Sequence, residues 1–157
     1  MTLSRPPLLS VLMAAHEGRC YLRQAVESIL AQTFGDFELL ITDDASKDGS
    51  SDVLTEYAQR DKRVQLIRND QRLGLTASLE GMSRRAQGSF LARMDADDCS
   101  LPQRFELQMR RLRLSPQVGG LGTWVRCVDS DGLALLERRY PDDDRWLRSR
   151  LQRGVNP

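Results

Sequence analysis

GSFLARMDADDCSLPQRF, residues 88–105, decides how this chain is read. Its apolar part, Phe90 to Met94, has the composition of a short strand, and it runs directly into three carboxylates, Asp95, Asp97 and Asp98. Burial favours apolar residues at a strand end, so acids in that place need another partner. Two carboxylates at i and i+2 around a tight turn can converge on a hard cation such as Mg²⁺ or Mn²⁺ and leave positions open for phosphate oxygens. An isolated Asp-X-Asp is more often a solvated loop or a helix start, where negative charge is favourable in its own right. The surroundings have to choose between the two. After the acids, Ser100-Leu101-Pro102-Gln103 reads as a helix start, with Ser as N-cap, Pro at N1 and Gln at N3 of a capping box.

Working outward, residues 8–15, LLSVLMAA, form an apolar run of the kind buried in a parallel sheet. Tyr21, Leu22, Ala25, Val26, Ile29 and Leu30 then share one helical face. FELLIT, 37–42, is a second strand, and it too ends in acids, Asp43 and Asp44. Val53, Leu54, Tyr57 and Ala58 mark a second helix, and Val64 to Ile67 a third strand. Leu75, Leu79, Met82 and Ala86 outline a third helix, started by Thr76, before the strand at Phe90. Phe105, Met109 and Leu112 line the fourth. This alternation predicts an α/β fold, a mostly parallel sheet with helices on both faces. Beyond Pro116 the pattern changes. Val118 to Val128 and Leu133 to Arg138 read as a β-hairpin around Asp129-Ser130-Asp131-Gly132, and Asp142 to Arg153 as a last helix carrying Trp146.

Open α/β sheets bind ligands at the C-terminal ends of their strands. Here those ends carry His16-Glu17, Asp43-Asp44, Arg68-Asn69-Asp70 and Asp95 to Asp98. One polar rim of this kind predicts a phosphorylated ligand with a divalent metal. Neither GxGxxG nor GxxxxGK[ST] occurs, which disfavours a dinucleotide oxidoreductase or a P-loop NTPase. The 157 residues hold 23 basic and 22 acidic side chains, net +1, so nothing calls for nucleic acid. Three scattered cysteines and a single histidine argue against a zinc site. Free thiols and the lack of a recognisable leader predict a cytoplasmic setting.

The segment LSVLMAAHEGRCYLRQAVESILAQTFGDFELLITDDASKDGS, followed by NDQRLGLTASL, GSFLARMDADDCSLPQRFELQ and VGGLGTWV, resembles the family 2 inverting glycosyltransferases in order and spacing. That resemblance implies the GT-A, Rossmann-like fold, and one nucleotide-sugar-binding domain spanning 1–157. It places Ala14, His16 and Glu17 at the nucleobase and ribose, with His16 standing where the family commonly has an aromatic ring. Asp44 is similar to the residue that hydrogen-bonds the pyrimidine N3–H, whereas Asp43 is expected to be structural. Arg72 and Gly74 lie on a loop that approaches the nucleotide. Asp95, with Ala96, falls near the ribose and the metal, and Asp97 falls at the direct metal ligand, Mn²⁺ or Mg²⁺. Asp98 is expected to cap the following turn.

The implied function is metal-dependent binding of a nucleotide-diphospho-sugar, a UDP-sugar first. Inverting transfer to a hydroxyl of a glycan or glycolipid acceptor, in surface polysaccharide or glycolipid synthesis, would follow. No residue present is assigned as the general base, which is expected beyond Pro157; the chain is thus expected to be a donor-binding part, inactive alone. A non-catalytic nucleotide-binding module working with a partner chain is the alternative. A sugar-nucleotidyltransferase would need a basic Gly-rich loop that residues 14–20 do not supply. The Arg-rich tail around Trp146 could touch an anionic membrane at the inner face of the cell, but interleaved Asp142 to Asp144 favour a surface helix packing Trp146 inward. Self-association through exposed apolar surface is a further expectation.

Overall fold

The computed structural model describes residues 5–141 and 143–152. Eleven elements follow one another among them: β1 (Leu9–Ala15), α1 (Arg19–Leu30), β2 (Phe37–Asp44), α2 (Ser50–Arg60), β3 (Val64–Asn69), α3 (Leu75–Ser83), β4 (Phe90–Asp95), α4 (Arg104–Leu114), β5 (Val125–Val128), β6 (Ala134–Arg138) and α5 (Asp144–Gln152). Contacts divide the chain into two compact units, with the division between Arg111 and Leu112.

In the first unit, β1 to β4 form a parallel sheet in the order β3-β2-β1-β4. Right-handed crossovers make this order intelligible. Two successive steps, β1-α1-β2 and β2-α2-β3, carry helices to one face; the return from β3 to β4 carries α3 to the other. Side-chain alternation agrees. Leu12 and Leu40 pack with Met82 of α3 on one face, with Ala14, Ile67 and Leu79 against them. On the other face Phe37 meets Phe105 of α4 edge-on, ring centroids 5.9 Å apart. Every residue of β2 is buried, and its middle, Leu39 to Ile41, is apolar on both faces, with Glu38 the one acid before the terminal pair.

Three expectations about element ends are corrected. Helix α4 begins at Arg104, four residues after Ser100. The turn before it is held from outside: Gln32 Nε2 donates to the Leu101 carbonyl at 2.7 Å, Thr33 N to that of Pro102 at 2.9 Å, and Phe105 N donates to Gln32 Oε1 at 3.0 Å. A glutamine at the end of α1 thus caps α4, and the buried Ser100 hydroxyl has no partner. Helix α3 is preceded by Gly74, at φ 86, and Thr76 lies inside it. Strand β5 covers only Val125–Val128 of the expected 118–128.

The second unit contains the antiparallel pair β5 and β6. Asp129 Oδ1 accepts the amides of Asp131 and Leu133, and Gly132 supplies the left-handed residue at φ 81. Val128, Leu133, Leu135 and Leu136 of this hairpin are exposed. Trp146 is half-buried, whereas the expected helix-start acid Asp142 and the tail residue Arg153 lie outside the described residues. Among the described residues no helix is long and apolar enough to cross a membrane.

Candidate functional site

All four parallel strands end on one rim, and the register decides which side chains share a face. Ala14 pairs with Thr42 and with Asp95, and Asp44 pairs with Asn69. Paired residues in a parallel sheet point the same way, and alternate residues do too. Ala14, Asp44, Asn69, Arg93 and Asp95 therefore belong to the face on which α3 packs.

The centre of the rim is Asp44, only 4% exposed. Its Oδ1 accepts Asn69 Nδ2 at 2.7 Å and the Leu73 amide at 2.9 Å; its Oδ2 accepts the Gly74 amide at 2.8 Å. Burial by itself would raise this carboxyl. The Leu73 and Asn69 hydrogen bonds, then Gly74 and the charge of His16, outweigh it, and the net shift is downward. An ionised carboxylate has about four lone-pair positions. Three of Asp44's are occupied by the 69–74 segment, and one on Oδ2 remains.

The ends of β1 and β2 are locked together. His16 Nδ1 lies 2.8 Å from the Asp44 carbonyl oxygen. A carbonyl can only accept, so Nδ1 carries the proton. The Glu17 amide donates to Ser46 Oγ, and the Ser46 amide to Asp43 Oδ1, both at 3.1 Å. Glu17 at φ 50 and Ala45 at φ 60 hold left-handed backbone conformations that non-glycine residues rarely adopt. Such strain persists only where surrounding bonds over-determine it, as these do. Asp43, buried, holds this turn by accepting the Ser46 amide.

Ala14, Ala15, His16, Asp44, Arg72, Gly74 and Leu75 line a cleft of about 130 Å³. Pockets that enclose a whole small ligand run to roughly 300–1,000 Å³, so this one seats only part of an extended molecule. A larger, more open concavity of about 420 Å³ lies along Arg68, Asn69, Asp70, Gln71 and Leu73. It runs from the end of β3 along the loop that follows. Five of the expected nucleotide residues, Ala14, His16, Asp44, Arg72 and Gly74, thus meet at one cleft. Glu17, Asp95 and Ala96 do not line it. Asp95 is next door through its pairing with Ala14.

The acidic turn is different in kind. Asp97 and Asp98 are exposed, and the Asp98 amide donates to the Asp95 carbonyl at 3.4 Å. Burial, then the charges of Asp97 and Asp95, hold the Asp98 carboxyl above its usual range. Since Asp98 remains exposed, the like-charge neighbours are the firmer of those causes. Asp95 pairs with Arg93, Nη2 to Oδ1 at 2.7 Å. Among the described residues no three or more His, Cys, Asp or Glu side chains gather as a metal cage. Two hard oxygen donors nonetheless match Mg²⁺ or Mn²⁺, which take one or two carboxylates and draw their other ligands from phosphates and water. The turn fits a cation shared with a phosphorylated ligand.

Gln32 and Ser46 are site-building residues that sequence reasoning missed. Asn69 was placed on the polar rim, and the structure adds its partner, Asp44. Gln32 and Ser46 carry no local signal, since their partners lie far along the chain.

The pattern of Glycosyl transferase family 2 matches residues 10–156. An uncharacterized glycosyltransferase of Methanocaldococcus jannaschii is 37% identical over 133 residues, covering 83% of this chain and 46% of that protein. The O-antigen biosynthesis glycosyltransferase WbnJ of Escherichia coli is 32% identical over 149 residues, covering 92% of this chain and 57% of that protein. The chain spans about half the length of the curated relatives it matches. Among solved structures, the mannosyltransferase PcManGT from Pyrobaculum calidifontis, in complex with GDP-Man and Mn²⁺, is similar at a TM-score of 0.63 and 24% identity, covering 80% of this chain and 36% of that one. S. aureus TarS 1-349 in complex with UDP-GlcNAc has a TM-score of 0.63 at 20% identity, covering 68% of this chain and 31% of that one. At these identities the two likenesses show the fold.

Proposed function

The chain belongs to glycosyl transferase family 2, and from that premise we propose that its strand-end rim binds a nucleotide-diphospho-sugar with a divalent cation, as the donor side of an inverting sugar transfer. The observation that carries the reading is the one-sided rim: a cleft closed by the Asp44-anchored loop on β1 and β2, beside a carboxylate turn on β4.

In this reading the nucleobase enters the cleft of Ala14, His16 and Gly74. The remaining lone pair on Asp44 Oδ2 accepts an imide N–H, which favours uracil. His16 presents a flat ring whose Nδ1 is already tied down. Arg72 lies at the cleft edge for a phosphate. Asp95 and Asp97 would hold the cation beside the diphosphate. When bound, that cation supplies charge neutralisation for the departing nucleotide. The chain's own part is to hold the donor in one orientation on a rigid rim. The reading assigns no general base among residues 1–157, so binding is the quantity it predicts. Kinship with an O-antigen biosynthesis enzyme supports a hydroxyl acceptor on a surface glycan or glycolipid.

Calorimetric titration of UDP, GDP and dTDP, each with and without Mn²⁺, tests this. Metal-dependent binding, tightest for UDP, is expected. Binding that ignores the metal, or none by any of the three, overturns the donor-site reading.

A further inference from the structure

The Arg93–Asp95 pair is not explained by the fold. It is an i, i+2 contact along one face of β4, with the two side chains 53% and 42% exposed. On that face α3 packs over β1 and β2. Leu91, two residues before Arg93 on the same face, is 55% exposed, so no described element of the first unit covers this face of β4. Among the described residues of the first unit, Arg93 is exposed, and its side chain lies on the face that also carries Ala14 and Asp44.

A second arginine near the turn behaves otherwise. Arg104 donates through Nη2 to the Arg93 carbonyl at 3.0 Å and through Nη1 to Met94 Sδ at 3.3 Å. Its guanidinium lies over the Phe105 ring, 5.4 Å from the centroid. Arg104 is fixed by packing. Among the described residues the Arg93 side chain is held by its ion pair with Asp95, and an exposed pair of that kind is weak.

We propose that Arg93 is an internal counter-cation for Asp95, one that competes with the divalent metal and is handed to the diphosphate when metal and nucleotide arrive together. This rests on the donor-site reading above. A metal ion alone must displace the guanidinium and then sit beside it, two cations with no anion to share. A metal ion arriving with a nucleoside diphosphate brings that anion. Arg93 then leaves Asp95 for a phosphate oxygen, an oxyanion for which a guanidinium is well suited. Arg93 is in these terms a positioning residue for the metal ligand and a binding residue for the diphosphate. Its presence makes metal and nucleotide binding depend on one another, and the coupling is reciprocal.

The test is titration of the full chain with Mn²⁺ alone, and with UDP at saturating Mn²⁺, for the unaltered protein, Arg93→Gln and Arg93→Lys. Removing one nearby positive charge should tighten Mn²⁺ alone by roughly fivefold and weaken UDP at saturating Mn²⁺ by about the same factor. Arg93→Lys should retain the original pattern. Unchanged or weaker Mn²⁺ binding by Arg93→Gln overturns the competition. Tighter Mn²⁺ with unchanged UDP affinity overturns the hand-over. If the unaltered chain binds no nucleoside diphosphate, the donor-site reading fails, while the Mn²⁺ titrations still decide whether Arg93 competes for Asp95.

Discussion

The two rims of the same sheet use carboxylates in opposite ways. At the N-terminal rim Glu38, 5% exposed, accepts Ser10 Oγ at 2.6 Å and the Gln87 amide at 2.7 Å on one oxygen, and Gln65 Nε2 at 2.7 Å on the other. The Gly88 amide closes the group by donating to Ser10 Oγ at 2.8 Å. At the C-terminal rim Asp95, Asp97 and Asp98 crowd one exposed turn, with Arg93 on Asp95 as a weak partner. A buried carboxylate whose acceptor positions are filled by the chain is part of the structure. One left open to solvent among like charges has capacity for something the chain does not provide. Asp44 is filled in three positions, as Glu38 is, but it sits on the C-terminal rim among the residues that line the cleft.

The sharpest way to break this comparison is at the closed rim. A Cβ on Gly88 would fall 2.6 Å from Ser10 N and 2.7 Å from the Leu9 carbonyl carbon, both backbone atoms that cannot turn aside. Gly88→Ala should cost about 3 kcal/mol or more in urea denaturation. Glu38→Ala, which strands the buried Ser10 hydroxyl and removes the acceptor of the part-buried Gln87 amide and Gln65 Nε2, should cost about 2 kcal/mol. A loss under about 1 kcal/mol in both would show that the N-terminal rim is not the rigid one.

Asp44→Asn comes next. An amide cannot accept all three donors, so the 69–74 loop should loosen and unfolding should lose about 2 kcal/mol, with UDP affinity falling as well. Asp97→Ala should do the reverse. Stability should stay within about 0.5 kcal/mol, because no chain donor depends on it, while the Mn²⁺-dependent gain in UDP affinity disappears. An Asp97→Ala protein that keeps that gain removes Asp97 as the ligand.

The smallest effect concerns acid. Asp48 accepts the first amide of α1, Arg19 N at 3.0 Å, and the first of α2, Ser50 N at 2.9 Å. The Ser50 hydroxyl, then those amides, draw its carboxyl from 3.8 to about 2. The hydroxyl meets no partner in strict geometry, so the amides are the firmer cause. A depressed carboxyl contributes its stability above its unfolded value and loses it as pH falls. Between pH 3.8 and about 2 the urea midpoint should therefore decline. Asp48→Asn should flatten that part of the profile.

The helix and strand alternation was legible because each element repeats its own period: Leu22, Ala25, Val26 and Ile29 bury one face of α1, and Leu39, Leu40 and Ile41 make the apolar middle of β2. The rim was legible for a related reason, since acids at strand ends contradict the burial that strands otherwise seek. What escaped was set by distance along the chain. Gln32 reaches Leu101 and Phe105, 69 and 73 positions away, and so overrides the local capping box at Ser100. Glu38 meets Gln87 at a separation of 49. In sequence it is one acid in an apolar run, and only the fold reveals it as the opposite of Asp95.

The amides of Leu73 and Gly74 point at a single ionised oxygen pair although Leu73 is 51% exposed. Solvent hydrogen exchange tracks the opening of such bonds, not surface area. This loop should therefore carry two slowly exchanging protons in an otherwise fast stretch. They form a built-in pair of reporters: ligand that tightens the Asp44 anchor slows both, and ligand that draws the carboxylate away releases both.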